Sequence, residues 1–251
     1  MTGGNYGLGV DVGGSGIKGC LVDLDQGVLA ADRWRVDTPR PSTPEAVGEV
    51  VGRLVQHFDW TGAVGLALPS VITRGVARTA ANIDPSWVGT DVREAIGPHV
   101  SGAVEVLNDA DAAGLAEVRY GAARDVDGVV LVLTFGTGIG SGLFLDGRLV
   151  PNTELGHIEV GGEDGEHLAA ASVKDREELG WPEWAARVEQ YLDRLERFLW
   201  PDLIVVGGGV SKRSQKWVPL IRHRTPIVAA QLQNAAGIVG AALAAAERTG
   251  S

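Results

Sequence analysis

The sequence holds a single cysteine, Cys20, in 251 residues. That excludes an internal disulfide and any metal site built on several thiolates. Long apolar stretches are also missing. The longest, "AAGIVGAALAAA" from Ala235 to Ala246, has 12 residues, short of the roughly 20 that carry a helix across a bilayer. The opening "MTGGNYG" has neither the basic segment nor the apolar one of a secretory leader. No Gly-Lys-Ser or Gly-Lys-Thr occurs, so there is no Walker A loop. Positive charge is scarce: 22 Lys and Arg stand against 32 Asp and Glu, a formal net charge of −10. Nucleic acid is therefore not an expected partner, nor is a membrane. The expectation is a cytoplasmic protein.

Glycine, in contrast, is plentiful: 36 residues, gathered at the ends of apolar runs rather than spread as a linker. Hydrophobic residues at 45% and charged ones at 22% are the proportions of a globular chain with a substantial core. Apolar runs predict strands at 8–12, 17–24, 28–36, 64–68, 104–107, 129–135, 139–145 and 203–206. Helices are expected at 43–58, 90–96, after Asn108 up to Gly121, at 184–199, from Ser211 and over 229–247. Strands alternating with helices indicate an α/β protein. There is also an internal echo. "VDVGGSGIKGCLVDLDQG" and "LTFGTGIGSGLFLDGR" both read strand, glycine turn, strand, Asp, turn. Two related lobes, each with one glycine hairpin, would produce this, and so would chance.

Read alone, Gly14-Ser15-Gly16-Ile17-Lys18-Gly19 spells the G-x-G-x-x-G of dinucleotide folds. Those folds need the glycines to open a helix whose N-terminus faces the pyrophosphate. Here Ile17 to Val22 is β-branched and glycine-containing, a strand rather than a helix. A strand–turn–strand hairpin still directs successive N–H groups inward as an anion nest, and glycine lets phosphate oxygens approach the backbone. A second feature bears on anions. "SKRSQKWVPLIRHR", Ser211–Arg224, carries five Lys or Arg and no acid. It is either a solvated face that balances acidic neighbours or a local anion-binding surface.

"DVGGSGIKG" from Asp11, then Asn108-Asp109, "LTFGTGIGSG", "ELGH" at Glu154–His157 and "VVGGGVS" at Val205–Ser211 follow one another in order. Together they resemble the motifs of the ROK family of sugar kinases, over nearly the whole chain, and within it the actinobacterial branch that uses polyphosphate. The resemblance implies an actin-like (ribonuclease H-like) α/β fold of two lobes around a cleft. Residues 1–107, completed by the C-terminal helix 234–251, would form the small lobe and 108–233 the large one. It also implies transfer of a phosphoryl group from inorganic polyphosphate, and from ATP, to the 6-hydroxyl of glucose. Homodimers are common in the family.

Phosphoryl transfer needs a base for the hydroxyl, charge neutralisation on the phosphate and alignment of both. Asp109, at the end of a buried strand, is the candidate base; a plain helix cap is the other use of an Asp there. Asp111 reads as a first-turn acid favoured by the helix dipole. Asn82, Asn108, Glu154, His157 and Glu166 are the sugar candidates, since carboxylates and amides satisfy hydroxyls in pairs. The Glu154-x-x-His157 spacing also occurs in di-iron sites, but those need helices and a second copy.

Donor contacts fall to Gly13, Gly14, Ser15, Gly16 and Lys18 in one hairpin and to Thr134, Gly136, Thr137, Gly138 and Gly140 in the other. Gly207, Gly208 and Gly209, with Lys212, Arg213 and Lys216 after them, would complete the donor surface. Asp11 would position Mg²⁺ through water. Many ROK kinases carry a cysteine-rich zinc staple after the Gly-His motif. "GHIEVGGEDGEHLAAAS" has no cysteine, so no zinc is expected and something else must order that loop. Two other readings remain. One is an ATP-only hexokinase. The other is a sugar-sensing repressor, which needs a helix-turn-helix ahead of a first strand that here begins near Leu8.

Overall fold

The computed structural model describes residues 4–249; Met1–Gly3 and Gly250–Ser251, which fall within the lobe boundaries expected above, lie outside the described residues. The elements in chain order begin with β1 (Tyr6–Val12), β2 (Ile17–Asp23), β3 (Val28–Leu29), β4 (Trp34–Val36), α1 (Pro44–His57), β5 (Val64–Leu68), β6 (Ile72–Thr73) and β7 (Val76–Ala77). They continue with α2 (Val92–Ile96), β8 (Val104–Asn108), α3 (Asp109–Tyr120), β9 (Val129–Phe135), β10 (Ile139–Leu145) and β11 (Arg148–Val150). Then come β12 (Glu159–Val160), β13 (Glu163–Asp164), α4 (Gly165–Ala169), α5 (Ala171–Arg176), α6 (Trp181–Leu199), β14 (Leu203–Gly208), β15 (Ile227–Ala229) and α7 (Ala236–Thr249).

The chain divides into two compact units within α3. One runs to Ala116 and resumes at Ala235; the other is Glu117–Asn234. In the first, the sheet order is β3-β2-β1-β5-β8, with β4 also paired to β2. Strands β1 and β2 are antiparallel, while β5 and β8 join β1 in parallel. In the second, the order is β11-β10-β9-β14-β15, again an antiparallel meander followed by two parallel strands. Each unit thus carries the ribonuclease H-like order, and its repetition within one chain is the actin-like fold. The echo between the two glycine hairpins is an echo of topology.

Local signals explain the helices that frame the sheets. Thr43 caps α1 by accepting from the N–H of Ala46, Pro44 opens the helix, and Val47, Val50, Val51, Leu54 and Val55 form its buried face. α6 starts at Trp181, three residues before the expected position, because the Glu183 carboxylate reaches back to the Gly180 N–H at 2.9 Å and holds the first turn. It ends where Trp200 turns left-handed, φ 46°.

Two close approaches depend on glycine. A Cβ on Gly9 would collide with the Ile238 carbonyl of α7, and one on Gly65 with the Ala241 carbonyl. Without them α7 lies directly on β1 and β5. The first core is aliphatic, with Trp87 its one fully buried tryptophan. The second is aromatic: the Phe135 ring meets Trp184 and Trp217 edge-on at 5.9 Å and Tyr191 at 6.4 Å.

Three expectations are corrected. The strand over 28–36 is two short pieces, because Ala30, Ala31, Asp32 and Arg33 are all exposed and carry no alternating apolar face. The helix from Ser211 is a 3₁₀ segment, Gly209–Lys216, broken at Arg213; its polar run offers no apolar stripe for an α-helix to bury. The last helix starts at Ala236 rather than near Ala229. Ile227–Ala229 pairs instead as a strand with Ile204–Val206, and Gln233 at φ 48° interrupts the chain before the helix.

Candidate functional site

In the first unit, Asp11 and Lys18 stand opposite each other on β1 and β2, and their charged atoms are 3.5 Å apart. Burial pushes the Asp11 carboxyl above its ordinary range, and Lys18 pulls against that shift. The turn between them closes with the Gly13 N–H donating to the Gly16 carbonyl at 3.1 Å. The Thr38 hydroxyl donates to the Gly13 carbonyl and Arg35 Nη2 to the Ser15 carbonyl at 2.8 Å. Arg35 also occupies the space a Cβ on Gly16 would need. Asn82, left-handed at φ 60°, brings its carbonyl to within 3.0 Å of where a Gly14 Cβ would sit. These glycines therefore admit neighbouring protein groups, and the sequence did not reveal Arg35 or Thr38 because they lie 20 residues or more further on.

At the end of β8, Asn108 and Asp109 divide two roles. Asn108 is buried; its Oδ1 accepts from the N–H groups of Ala110 and Asp111 at 2.8 and 3.1 Å, and its Nδ2 donates to the Ser70 carbonyl at 3.2 Å. It is the main cap of α3 and ties the strand end to the chain after β5. Asp109 is exposed at the first helical position, with its Oδ1 2.9 Å from the Ala110 N–H. Asp111 is buried in the first turn.

The second unit gathers the other sugar candidates. A 3₁₀ turn, Leu155–His157, follows Glu154; the β12–β13 hairpin then returns the chain to α4, which carries Glu166. His157 Nδ1 lies 2.9 Å from Asp164 Oδ2 and 4.0 Å from Glu166 Oε1, and its Nε2 is 3.9 Å from Glu154 Oε2. The Asp164 hydrogen bond, with three acids nearby, holds the imidazole above the ordinary histidine range. Asp164 was not among the sequence candidates, since the short hairpin that delivers it has no periodic pattern.

That hairpin orders the cysteine-free loop. Gly161 and Gly162 take φ of 68° and 97°, Arg194 donates to the Glu159 carbonyl at 3.1 Å, and Tyr191 donates to the Leu155 carbonyl at 3.2 Å. Burial raises the Tyr191 phenol above its ordinary range and keeps it a donor.

Glu166 also serves the second glycine hairpin: its Oε2 accepts from the Ile139 N–H at 3.1 Å and fills the space beside Gly138. That turn closes with Gly136 N–H to Gly138 carbonyl at 2.9 Å, and Ser172 binds it twice, N–H to the Gly136 carbonyl and hydroxyl to the Thr137 carbonyl. Thr134 and Gly140 face each other across the ladder, and Gly207 and Gly208 pair with Thr134 and Phe135.

A cavity of about 510 Å³ opens beside this turn. Gly136, Thr137, Gly209, Lys212 and Arg213 line it, five donor candidates from two distant stretches. Ser172, Lys174, Asp175 and Trp181 are also in the wall, with the Lys174 ammonium 4.5 Å from the Trp181 ring centre and 3.9 Å from Asp175 Oδ1. Lys216 is exposed and is not among the cavity's lining residues. In the rest of the basic run Arg224 Nε binds Glu196 at 2.6 Å, and Arg222 donates its backbone N–H to Glu189 at 2.8 Å.

Two sheets of the same strand order, each with a glycine hairpin, define a protein of the actin-like class. Residues 7–172 match the ROK family model. The chain belongs to the ROK family. It is 54% identical over 245 residues to the polyphosphate glucokinase of Mycobacterium tuberculosis, covering 97% of this chain and 92% of that protein. It also resembles the crystal structure of the inorganic polyphosphate/ATP-glucomannokinase from an Arthrobacter strain, with TM-score 0.92, 47% identity and coverage of 97% and 99%. A ROK glucokinase structure from Streptomyces griseus, 24% identical with TM-score 0.83 over 97% and 100% of the two chains, shares the fold.

Proposed function

We propose that this chain is a glucokinase that transfers a phosphoryl group from inorganic polyphosphate, and from ATP, to the 6-hydroxyl of glucose. What carries this reading is the 54% identity over nearly the whole length to a polyphosphate glucokinase. The donor cavity supports it, because Lys174, Lys212 and Arg213 place three cations around it in a chain of net charge −10. A polyanion gains more from several clustered cations than from a diffuse positive surface.

In this mechanism the Asp109 carboxylate accepts the proton of the 6-hydroxyl as that oxygen bonds to the terminal phosphorus. The bond from phosphorus to the donor's bridging oxygen breaks, and a polyphosphate shorter by one unit, or ADP, leaves. Asn108 caps the helix beside it, and Asp109 is exposed at the strand end. Glu154, His157 and Glu166 accept from and donate to sugar hydroxyls, with Asp164 holding the His157 ring in place; Asn82 is the sugar candidate of the first unit.

In the first unit the glycine turn and Lys18 contact donor phosphate, and in the second unit the turn at Gly136–Gly138 does so beside its cavity. Asp11 fits Mg²⁺: a single carboxylate, raised by burial, is relieved by a cation that keeps most of its waters. The ion supplies charge neutralisation on the donor phosphates. Two copies of the chain associate in this reading, as size-exclusion chromatography with light scattering would show.

The deciding experiment supplies purified protein with glucose and either long-chain polyphosphate or ATP and measures glucose 6-phosphate. Product from both donors is expected. Product from ATP alone would make it an ATP-only hexokinase, and none from either would leave a sugar sensor.

A further inference from the structure

A cluster in the second unit, separate from the sugar and donor candidates, has the geometry of a metal site. Asp193 and Glu196 are three residues apart on α6 and so share one face of the helix. His223, from the segment after β14, faces them. Its side chain is 1% exposed, and its Nε2 has no hydrogen-bond partner among the described residues. A buried ring nitrogen without a partner calls for an explanation. Nε2 lies 3.4 Å from Glu196 Oε2 and 3.9 Å from Asp193 Oδ1.

Those distances exceed the 2.7–2.9 Å usual for a charge-assisted hydrogen bond. They approach the edge of about 3.4 Å that separates ligands around a tetrahedral zinc with bonds of about 2.1 Å. All three ligand atoms lie within 4.8 Å of one another.

The surroundings are those that orient metal ligands. His223 Nδ1 faces the Thr225 carbonyl at 3.4 Å, so a proton there turns the Nε2 lone pair toward the carboxylates. Glu196 Oε1 accepts from Arg224 Nε at 2.6 Å and from the Thr225 hydroxyl at 2.9 Å, which leaves Oε2 for an ion. Asp193 is exposed, so solvent reaches the cluster from its side.

We propose that Asp193, Glu196 and His223 form a divalent-cation site that clamps the 221–225 segment onto α6. One imidazole and two carboxylates suit Zn²⁺. The site is unrelated to the cysteine staple of other ROK kinases and stabilises rather than catalyses.

The test is to titrate metal-stripped, untagged protein with Co²⁺ and then Zn²⁺, following visible absorption and calorimetry. The expected result is one Co²⁺ with the absorption of a tetrahedral site, displaced by Zn²⁺. His223→Ala removes the bands. Asp193→Asn, at an exposed position where folding is not at risk, weakens Zn²⁺ binding at least about ten-fold. The bands survive in His157→Ala, which separates this site from the Glu154–Glu166 cluster. Absence of the bands in the wild type, their loss in His157→Ala, or unchanged Zn²⁺ binding in Asp193→Asn each overturns the proposal.

Discussion

The two glycine hairpins occupy the same place in two sheets of the same strand order, yet they are built differently. The position before the last residue of the first strand holds Asp11 in β1 and Thr134 in β9; its cross-strand partner is Lys18 in one and Gly140 in the other. One hairpin carries an ion pair, the other a hydroxyl and bare backbone. Their supports differ as well. Arg35 and Thr38, from within and just after β4, hold the first turn. Glu166 and Ser172, delivered by helices α4 and α5, hold the second. The second turn is also anchored from beneath by Phe135 in its aromatic core. Duplicated topology therefore reproduces the turn, closed by the same first-to-last hydrogen bond, while the residues around each turn decide its charge and its ligand.

Four measurements would break or sharpen this contrast. The largest effect is expected in the first unit, where Asp109→Asn lowers kcat by about 10²–10⁴-fold while glucose binding, measured by calorimetry, persists. Near-normal turnover would move the base away from that strand end. Next comes packing. Gly65→Ala places a Cβ against the Ala241 carbonyl and costs about 1–3 kcal/mol in urea denaturation. Gly136→Ala has nothing within 4 Å and changes stability by less than about 0.5 kcal/mol. Equal losses would show that the Gly136 turn is packed as tightly as the contact of β5 with α7.

A smaller effect concerns donor choice. Neutralising Lys212, Arg213 and Lys216 together raises KM for long polyphosphate about ten-fold and for ATP less, with the difference fading at high salt. Equal shifts on both donors would show that the cavity's cations read only a terminal phosphate group.

The smallest effect is a titration. Asp164 holds His157 above the ordinary histidine range, so the folded value lies above the unfolded one. The pair's stabilisation is complete below about pH 6.5 and disappears as pH rises through the folded value. Asp164→Asn should lower the His157 midpoint followed by NMR, and its melting temperature should approach that of the wild type at alkaline pH. A midpoint unmoved by the substitution would assign the shift to Glu154 and Glu166 instead.

Much of the fold is legible in the sequence because the strands at 8–12, 64–68 and 129–135 are buried nearly throughout and appear as apolar runs closed by glycine or proline. The elements between 156 and 176 are not legible in that way. Strands of two residues and helices of five or six are too short for a period, and "GHIEVGGEDGEHLAAAS" shows only glycines and scattered charge. Glu166 could be named from its place after the Glu154–His157 motif, whereas Asp164 and Ser172 had no signal of their own.

By itself, then, the sequence determined the class of protein: apolar runs, glycine turns and the order of the motifs reflect local propensity and spacing along the chain. Which groups meet was decided only by tertiary structure. Arg35 reaches the Ser15 carbonyl from 20 positions away, Lys174 and Arg213 line one cavity, and His223 turns from its basic neighbours toward two acids on α6. The physical reason is that hydrogen bonds, ion pairs and ligand geometry depend on distances of about 3 Å in space, and separation along the chain does not encode them.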